Sequence, residues 1–397
     1  MKRVVISTLL ILLLILVGTG VGIYYARGYR FDPQNPKAIL QGTGLLVLTS
    51  RPDGARVYVD DTLTTATNNT INLQPGTYNV RIEKDGYFAW KKTIEVKKET
   101  VSQANATLFP IAPRLESITT TGALGPVLDG TGSLIAYTVS SASADKNGIY
   151  TINMSTPAIL PLGGGANQIA NDLTASFSTA TLSFSPDGTE LIASVSSALS
   201  QPTAYLLQAR SFNSNPQNIT ATLNEILAEW KTQQELKDQK LIDSLPKKIR
   251  TVANNYFGMP VLSPEEDKIL YTASASATLP ILISPRLPGT NSTPEARAIQ
   301  EGNTYVYDMK EDRNYLVAEK DDAPEKFLWH PDSDHLVYIK GSNINVVEFD
   351  GGNLTTVYAG PFVNGFVFPW PNGSSLVILT NLNIPGAPYN LYRISLR

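Results

Sequence analysis

"FSPDGTELIAS", Phe184 to Ser194, decides the architecture of most of this chain. It sets a polar turn directly before an apolar strand, with Pro186 fixing φ and Gly188 free to take a positive one. Four other stretches repeat the pattern: "VLDGTGSLIAY" (Val127 to Tyr137), "LSPEEDKILYT" (Leu262 to Thr272), "WHPDSDHLVYI" (Trp329 to Ile339) and "PWPNGSSLVIL" (Pro369 to Leu379). Anchored on Leu134, Leu191, Ile269, Leu336 and Leu376, the copies are spaced by 57, 78, 67 and 40 residues. The last interval is the length of one four-stranded propeller blade, and the longer ones imply insertions or degenerate blades. Each copy is followed by a further strand: "GIYTINM", "TAYLLQA", "TYVYDMK", "INVVEFD" and "YNLYRIS". This grammar predicts a β-propeller of five or six blades over 111–397. A sixth blade would fall between Ser194 and Leu262 or near Thr278 to Gly302. "RLESI" (Arg114 to Ile118) is expected to share a blade with the terminal "YNLYRISLR", because a propeller closes by pairing strands from both ends.

The "FSPDG" turn before an apolar strand resembles TolB-like and WD-type propellers. The likeness is clearest in the second and fourth copies and looser in the first, where Asp129 and Gly130 replace the Ser-Pro-Asp-Gly turn. It implies a unit that binds other proteins or ligands, and by itself no activity.

One insertion, 222–250, reads as helical. A helix is expected over Thr222 to Leu245, opened by a capping box of Thr222 and Glu225 and stopped by Pro246. Ile226, Leu227 and Trp230 share one face of it. Trp230 is the best single candidate for a contact with a partner, although the helix is equally readable as a lid packed on the propeller.

The chain has 397 residues, a length for two or three domains; 42% are hydrophobic and only 17% charged. The net charge of −3 excludes a dedicated nucleic-acid binder, which needs a basic face. There is no cysteine, so disulfides, thiolate nucleophiles and Zn–Cys sites are excluded. An outward-facing protein of this composition suits a bacterium. Lys2 and Arg3 precede an uncharged run, Val4 to Tyr25, long enough to span a bilayer, with Tyr24 and Tyr25 at the interface position. It is read as an uncleaved single anchor (1–27) with its N-terminus inside, against the alternative of a cleaved signal peptide. Residues 28–43 read as a stalk.

Between stalk and propeller, 44–110 reads as a small antiparallel β-sandwich. Leu45 to Thr49 is a strand and Pro52-Asp53-Gly54 a turn; Val57 and Val59 face one way and Tyr58 the other. Tyr78, Val80 and Ile82 share a face, as do Phe88, Trp90, Ile94 and Val96. "RPDGARVYVDD" and "LQPGTYNVRIEKDGY" resemble the PEGA domain, with Asp53 in place of the namesake Glu. That likeness implies a surface or envelope module without catalysis, a spacer or adhesion unit. Tyr58, Tyr87 and Trp90 are candidates for stacking on a glycan, although Trp90 shares the buried parity. Lys84, Lys91, Lys92, Lys97 and Lys98 form a basic cluster that either touches anionic polymers or blunts edge strands.

Signs of chemistry are sparse. The only histidines, His330 and His335, fall in one blade turn with Asp332 and Asp334; the spacing is wrong for a helical metal pair, and no metal site is expected. No nucleophile elbow is present, and "LGGGANQ" (162–168) reads as a blade loop rather than a phosphate cradle. Asp187, Glu265, Glu266, Asp267 and Asp332 belong to outer turns rather than to a facing catalytic pair. The fold class is thus all-β: an N-terminal transmembrane helix, a PEGA-like sandwich, then a propeller with one helical insertion. The expected function is a non-enzymatic, membrane-anchored scaffold or protein-interaction module of the envelope, without cofactor. Its expected partners are envelope or surface proteins, with the membrane reached through the N-terminal helix. Cell-wall or glycan binding is the first alternative, and a propeller enzyme acting on envelope polymers the second.

Overall fold

The computed structural model describes residues 2–26, 43–140, 143–155, 165–197, 200–286 and 291–397. Nearly all of the expected stalk lies outside these residues. The chain divides into two compact units, Met1–Ile111 with Pro285–Pro294, and Ala112–Ser284 with Glu295–Arg397.

The first unit begins with helix α1, Lys2–Ala26. Its window Ile6–Ile23 has a mean hydropathy of 2.5 and no buried side chain, and is long and apolar enough to cross a membrane. Seven strands follow: β1 (Gly44–Arg51), β2 (Arg56–Val59), β3 (Thr62–Ala66), β4 (Asn69–Leu73), β5 (Gly76–Glu83), β6 (Trp90–Val96) and β7 (Val101–Thr107). They form two sheets, ordered β4-β1-β7 and β3-β2-β5-β6. The alternation read from sequence is realised: Val57 and Val59 point inward and Tyr58 outward. Leu46, Leu48, Val57, Val80, Ile82, Trp90, Ile94 and Val96 pack between the sheets. One expectation is corrected. The sandwich is not wholly antiparallel, because β1 and β7 pair in parallel from Leu45↔Val101 to Arg51↔Thr107. The two strands are joined through the whole of the other sheet, a crossover long enough to bring β7 back in the direction of β1.

The second unit holds five four-stranded sheets, the blades. Blade one comprises Leu124–Leu128, Leu134–Val139, Gly148–Asn153 and Ala166–Asn171; blade two, Thr181–Phe184, Glu190–Ser197, Ser200–Gln208 and Gln217–Asn218. Blade three comprises Phe257–Leu262, Lys268–Ala273, Thr304–Asp308 and Arg313–Ala318; blade four, Phe327–Trp329, His335–Lys340, Asn343–Glu348 and Thr355–Ala359. Blade five takes Val367–Pro369, Ser375–Thr380 and Asn390–Ser395, and its fourth strand is Leu115–Ser117. The pairing Leu115↔Ile394, Glu116↔Arg393 and Ser117↔Tyr392 joins the two ends of the unit. Apolar cores run from blade five to one, one to two, and three to four. Among the described residues there is no sixth blade. One stretch proposed for it holds two helices, and the other only a short ribbon pairing Ala277–Thr278 with Ala298–Ile299. Part of "LGGGANQ" also departs from expectation, since Ala166 to Gln168 lie in the fourth strand of blade one.

The five repeated turns have one geometry. In each, the backbone N–H of Asp129, Ser185, Ser263, His330 or Trp370 donates to the carbonyl five residues on. The residue at the tip takes positive φ: Gly132, Gly188, Glu266, Ser333 and Gly373. This alignment corrects the first copy by one position. Ile135, which pairs with Leu128, is the equivalent of Leu191, which pairs with Phe184. Because every turn links the first and second strands of its blade, all five stand on one face of the unit. Neighbours touch there: the Glu265 N–H donates to Ser333 Oγ at 2.9 Å, and His330 Nε2 lies 3.0 Å from the Gly373 carbonyl.

The insertion forms two helices, α2 (Leu223–Ser244) and α3 (Lys247–Tyr256). The expected capping box does not form. Thr222 sits at φ −108°, ψ 6°, outside the extended conformation of an N-cap, and its side chain makes no cap bond. Its hydroxyl turns to the Ile219 carbonyl, and its own carbonyl accepts from the Glu225 and Ile226 N–H groups. α2 packs on blade two through Trp230, against Ile192, Ala204 and Ile219. α3 packs on blade three through Ile249, Val252 and Ala253.

Candidate functional site

The sandwich aromatics do not form one platform. Trp90 is 3% exposed and belongs to the core, so its ring offers no face for stacking. Tyr58 lies on the opposite face of the same sheet, half-buried under the Arg81 guanidinium at 4.2 Å from the ring centroid. Tyr87 is half-buried against the core and bridges to Pro110. Within the lysine cluster, Lys91 and Lys92 lie on β6, an edge strand of its sheet, where charge discourages further strand pairing. Lys84 donates to the Asp53 carbonyl and Lys97 pairs with Glu95 at 3.2 Å.

Trp230 is buried rather than displayed. With Leu227 and Gln234 it covers a cavity of about 460 Å³, lined from the propeller side by Val127, Leu128 and Leu182 to Pro186. The Lys237 ammonium reaches the Pro186 carbonyl at 3.4 Å. The N-terminal part of α2 therefore lies over the turns of blades one and two.

Two of the turn carboxylates, Asp187 and Asp267, are held by bonds within and beside their turns. Asp187 accepts from Ser185 Oγ and from the N–H and hydroxyl of Thr189, bonds that lower its pKa. Asp267 pairs with Lys268 at 3.1 Å and Lys310 at 2.9 Å. Glu265 and Glu266 are exposed.

The fourth turn brings together what its sequence leaves apart. His330 and His335 are 2% and 4% exposed. The Nδ1 atoms of both face the same oxygen, Oδ2 of Asp332, at 3.0 and 2.8 Å. Burial works against the Asp332 charge, but the two imidazoles outweigh it and hold the carboxyl far below its ordinary range. Burial likewise opposes charge on His335, yet the bond to Asp332, with Glu348 and Asp334 nearby, raises its pKa. The sequence carries a signal for this convergence in the placing of both histidines around one Asp, but not in any recognised ligand spacing.

Comparison with known proteins bears on the first unit most directly: residues 43–111 match the PEGA domain. No curated protein matches the chain. Among solved structures, the chain is similar to a TolB of Agrobacterium tumefaciens at 11% identity and a TM-score of 0.22, covering 77% of this chain and 86% of that one. It is similar to TolB from Acinetobacter baumannii at 14% identity and a TM-score of 0.22, over 80% of this chain and 60% of that one, so it spans less than two thirds of that relative. The chain is thus one that carries a PEGA domain, at residues 43–111, between an apolar N-terminal helix and a unit of five blades.

Proposed function

We propose that this is a membrane-anchored, outward-facing envelope protein whose propeller is a non-enzymatic protein-interaction module, carried on the PEGA-type sandwich. The observation that carries the reading is α2. Trp230 pins the helix to blade two, and the next ten residues, Lys231 to Lys240, are all exposed. In this stretch the one apolar side chain, Leu236, is 57% exposed and the other nine are polar or charged, so it gains little from packing on its own chain, which suits an arm that meets something else. Its mixed charges, Lys231, Glu235, Lys237, Asp238 and Lys240, favour a polar protein surface. Repeat-built faces offer the area that a standard interface needs. Lys2 and Arg3 before the apolar window support an N-terminus held inside. Asp187 and Asp267 are engaged in bonds within and beside their turns, which favours binding over catalysis there. The glycan alternative is weakened by Trp90, whose ring is enclosed.

The test is crosslinking in intact cells, repeated with 222–245 replaced by a short Gly/Ser loop. Loss of one specific envelope partner is the expected result. Unchanged crosslinks, or turnover of a sugar or peptide by the purified protein, would overturn the reading. Protease added to spheroplasts tests the topology. It should remove everything beyond Gly28, and full protection would reverse the orientation.

A further inference from the structure

The only two histidines in 397 residues meet on one oxygen of Asp332. His330 Nε2 lies 3.0 Å from the Gly373 carbonyl, and a carbonyl only accepts, so the proton of the neutral ring sits on Nε2. Nδ1 of that ring is then a lone pair. The Asp332 backbone N–H donates to this Nδ1 only over a long 3.5 Å, so the bond is weak. The lone pair therefore faces a carboxylate oxygen at 3.0 Å, a contact that is repulsive unless a cation lies between the two. A proton can fill that role. So can a metal, and three features favour one. The ligand atoms of His330, Asp332 and His335 all lie within 4.8 Å of one another. Ligands bonded at ~2.1 Å stand about 3.0 Å apart at right angles and about 3.4 Å apart in a tetrahedron, so contacts of 2.8 and 3.0 Å need only a small expansion. Finally, a histidine that binds metal through one nitrogen usually donates the other N–H to a carbonyl or carboxylate, as His330 does to Gly373.

We propose that the turn of blade four is a binding site for a divalent first-row transition cation of the zinc class, held by His330 Nδ1, Asp332 Oδ2 and His335 Nδ1. Two imidazoles and one carboxylate suit zinc, cobalt or nickel better than magnesium or calcium, which prefer all-oxygen shells. The site joins blade four to blade five, because His330 touches both. A bound ion therefore tightens the seam between them and acts as a structural clasp. Asp332 is the most exposed of the three ligands and lies on the route of entry.

The chain is suited to a clean test, since it has no cysteine and no third histidine to compete. Full-length protein without a polyhistidine tag, in detergent and stripped with chelator, is dialysed against Co²⁺ and then Zn²⁺. The expected result is one Co²⁺ per chain with visible d–d absorption, displaced by Zn²⁺, and a melting temperature raised by several degrees with Zn²⁺. Asp332→Asn and the double variant His330→Gln/His335→Gln should weaken binding at least ~100-fold, while Mg²⁺ and Ca²⁺ leave the wild-type melting temperature unchanged. Should a variant not fold, the wild-type cobalt spectrum decides alone, because imidazole nitrogen bound to Co²⁺ can come only from these two residues. No stoichiometric Co²⁺ or Zn²⁺ uptake by the wild type, or absorption that persists in a folded double variant, would overturn the proposal and leave the proton as the cation of the cluster.

Discussion

Leu115, in the first strand of the propeller unit, pairs with Ile394 in its last. Blade five is therefore built from both ends of the unit, and the Ile118 N–H donates to the Leu391 carbonyl just beyond the ladder. Leu391, Ile394 and Leu396 are fully buried. At about 2 kcal/mol for each side chain, removing Leu391 to Arg397 forfeits an amount comparable to the whole stability of an ordinary domain. The truncated protein should lose the entire unit in one transition at a much lower temperature. An unchanged calorimetric melting temperature would disprove closure by this strand.

Two glycines with nearly the same backbone separate strain from crowding. Gly132 (φ +72°) has open space where a Cβ would stand, whereas at Gly188 (φ +70°) that atom would come 2.6 Å from Asp129 Oδ2. Gly132→Ala should cost only the conformational term, about 1 kcal/mol. Gly188→Ala should cost a further ~1–3 kcal/mol, because it pushes blade two away from blade one. Urea midpoints of the two variants measure the difference, and equal midpoints would refute the contact.

Trp90 and Tyr58 are expected to part in the same way. Trp90→Ala empties the centre of the sandwich and should cost ~3–5 kcal/mol, opening residues 43–111 to protease. Tyr58→Ala removes a half-buried ring and its contact with Arg81, and should cost about 1 kcal/mol or less. Protease resistance retained by the Trp90 variant would show that the ring does not pack the core.

Asp312 supplies a pH dependence. Its carboxylate accepts from Tyr307 Oη at 2.6 Å, from the N–H groups of Leu282 and Ile283 at 2.7 and 2.9 Å, and from Arg297 at 2.9 Å. Burial opposes the charge, but these bonds outweigh it and lower the pKa. A lowered folded-state pKa gives stability that is present above the ordinary carboxylate range, ~3.9, and is lost as pH falls below it. Asp312→Asn should cost about 2–3 kcal/mol near neutral pH, with the difference from wild type shrinking below about pH 4. A difference that stays constant down to pH 3 would rule out the linkage.

The five turn-and-strand copies were legible because their cause is local. A positive-φ tip and an apolar strand are specified within about ten residues, and Leu191, Ile269, Leu336 and Leu376 each occupy the paired position after the turn. The first copy slipped by one residue because its turn lacks the proline that marks the start of the others. β3 (TLTTA), β4 (NTINL) and β7 (VSQANAT) hold few large apolar side chains, so the alternation that marks a half-buried strand is faint in them. α3 did leave a trace, since Ile249, Val252 and Ala253 recur at helical spacing behind Pro246.

What the chain determined by itself was its local grammar: the apolar helix, the alternation of the sandwich, the number of complete blade repeats and the absence of thiol chemistry. Tertiary structure alone decided which ends meet. Nothing in an alternating pattern distinguishes β7 running parallel to β1 from the reverse, because both bury the same side chains. Trp230 could be read as a displayed contact or as a packing residue until Ile192, Ala204 and Ile219 were brought beneath it. His330 and His335 are five residues apart along the chain, which in an extended strand would send them to opposite faces. The reversal at Ser333, with φ +61°, folds the turn so that both rings converge on Asp332. Periodicity and turn chemistry act over a few residues, whereas the convergence of side chains depends on pairings between segments far apart in sequence, and only the folded chain supplies those.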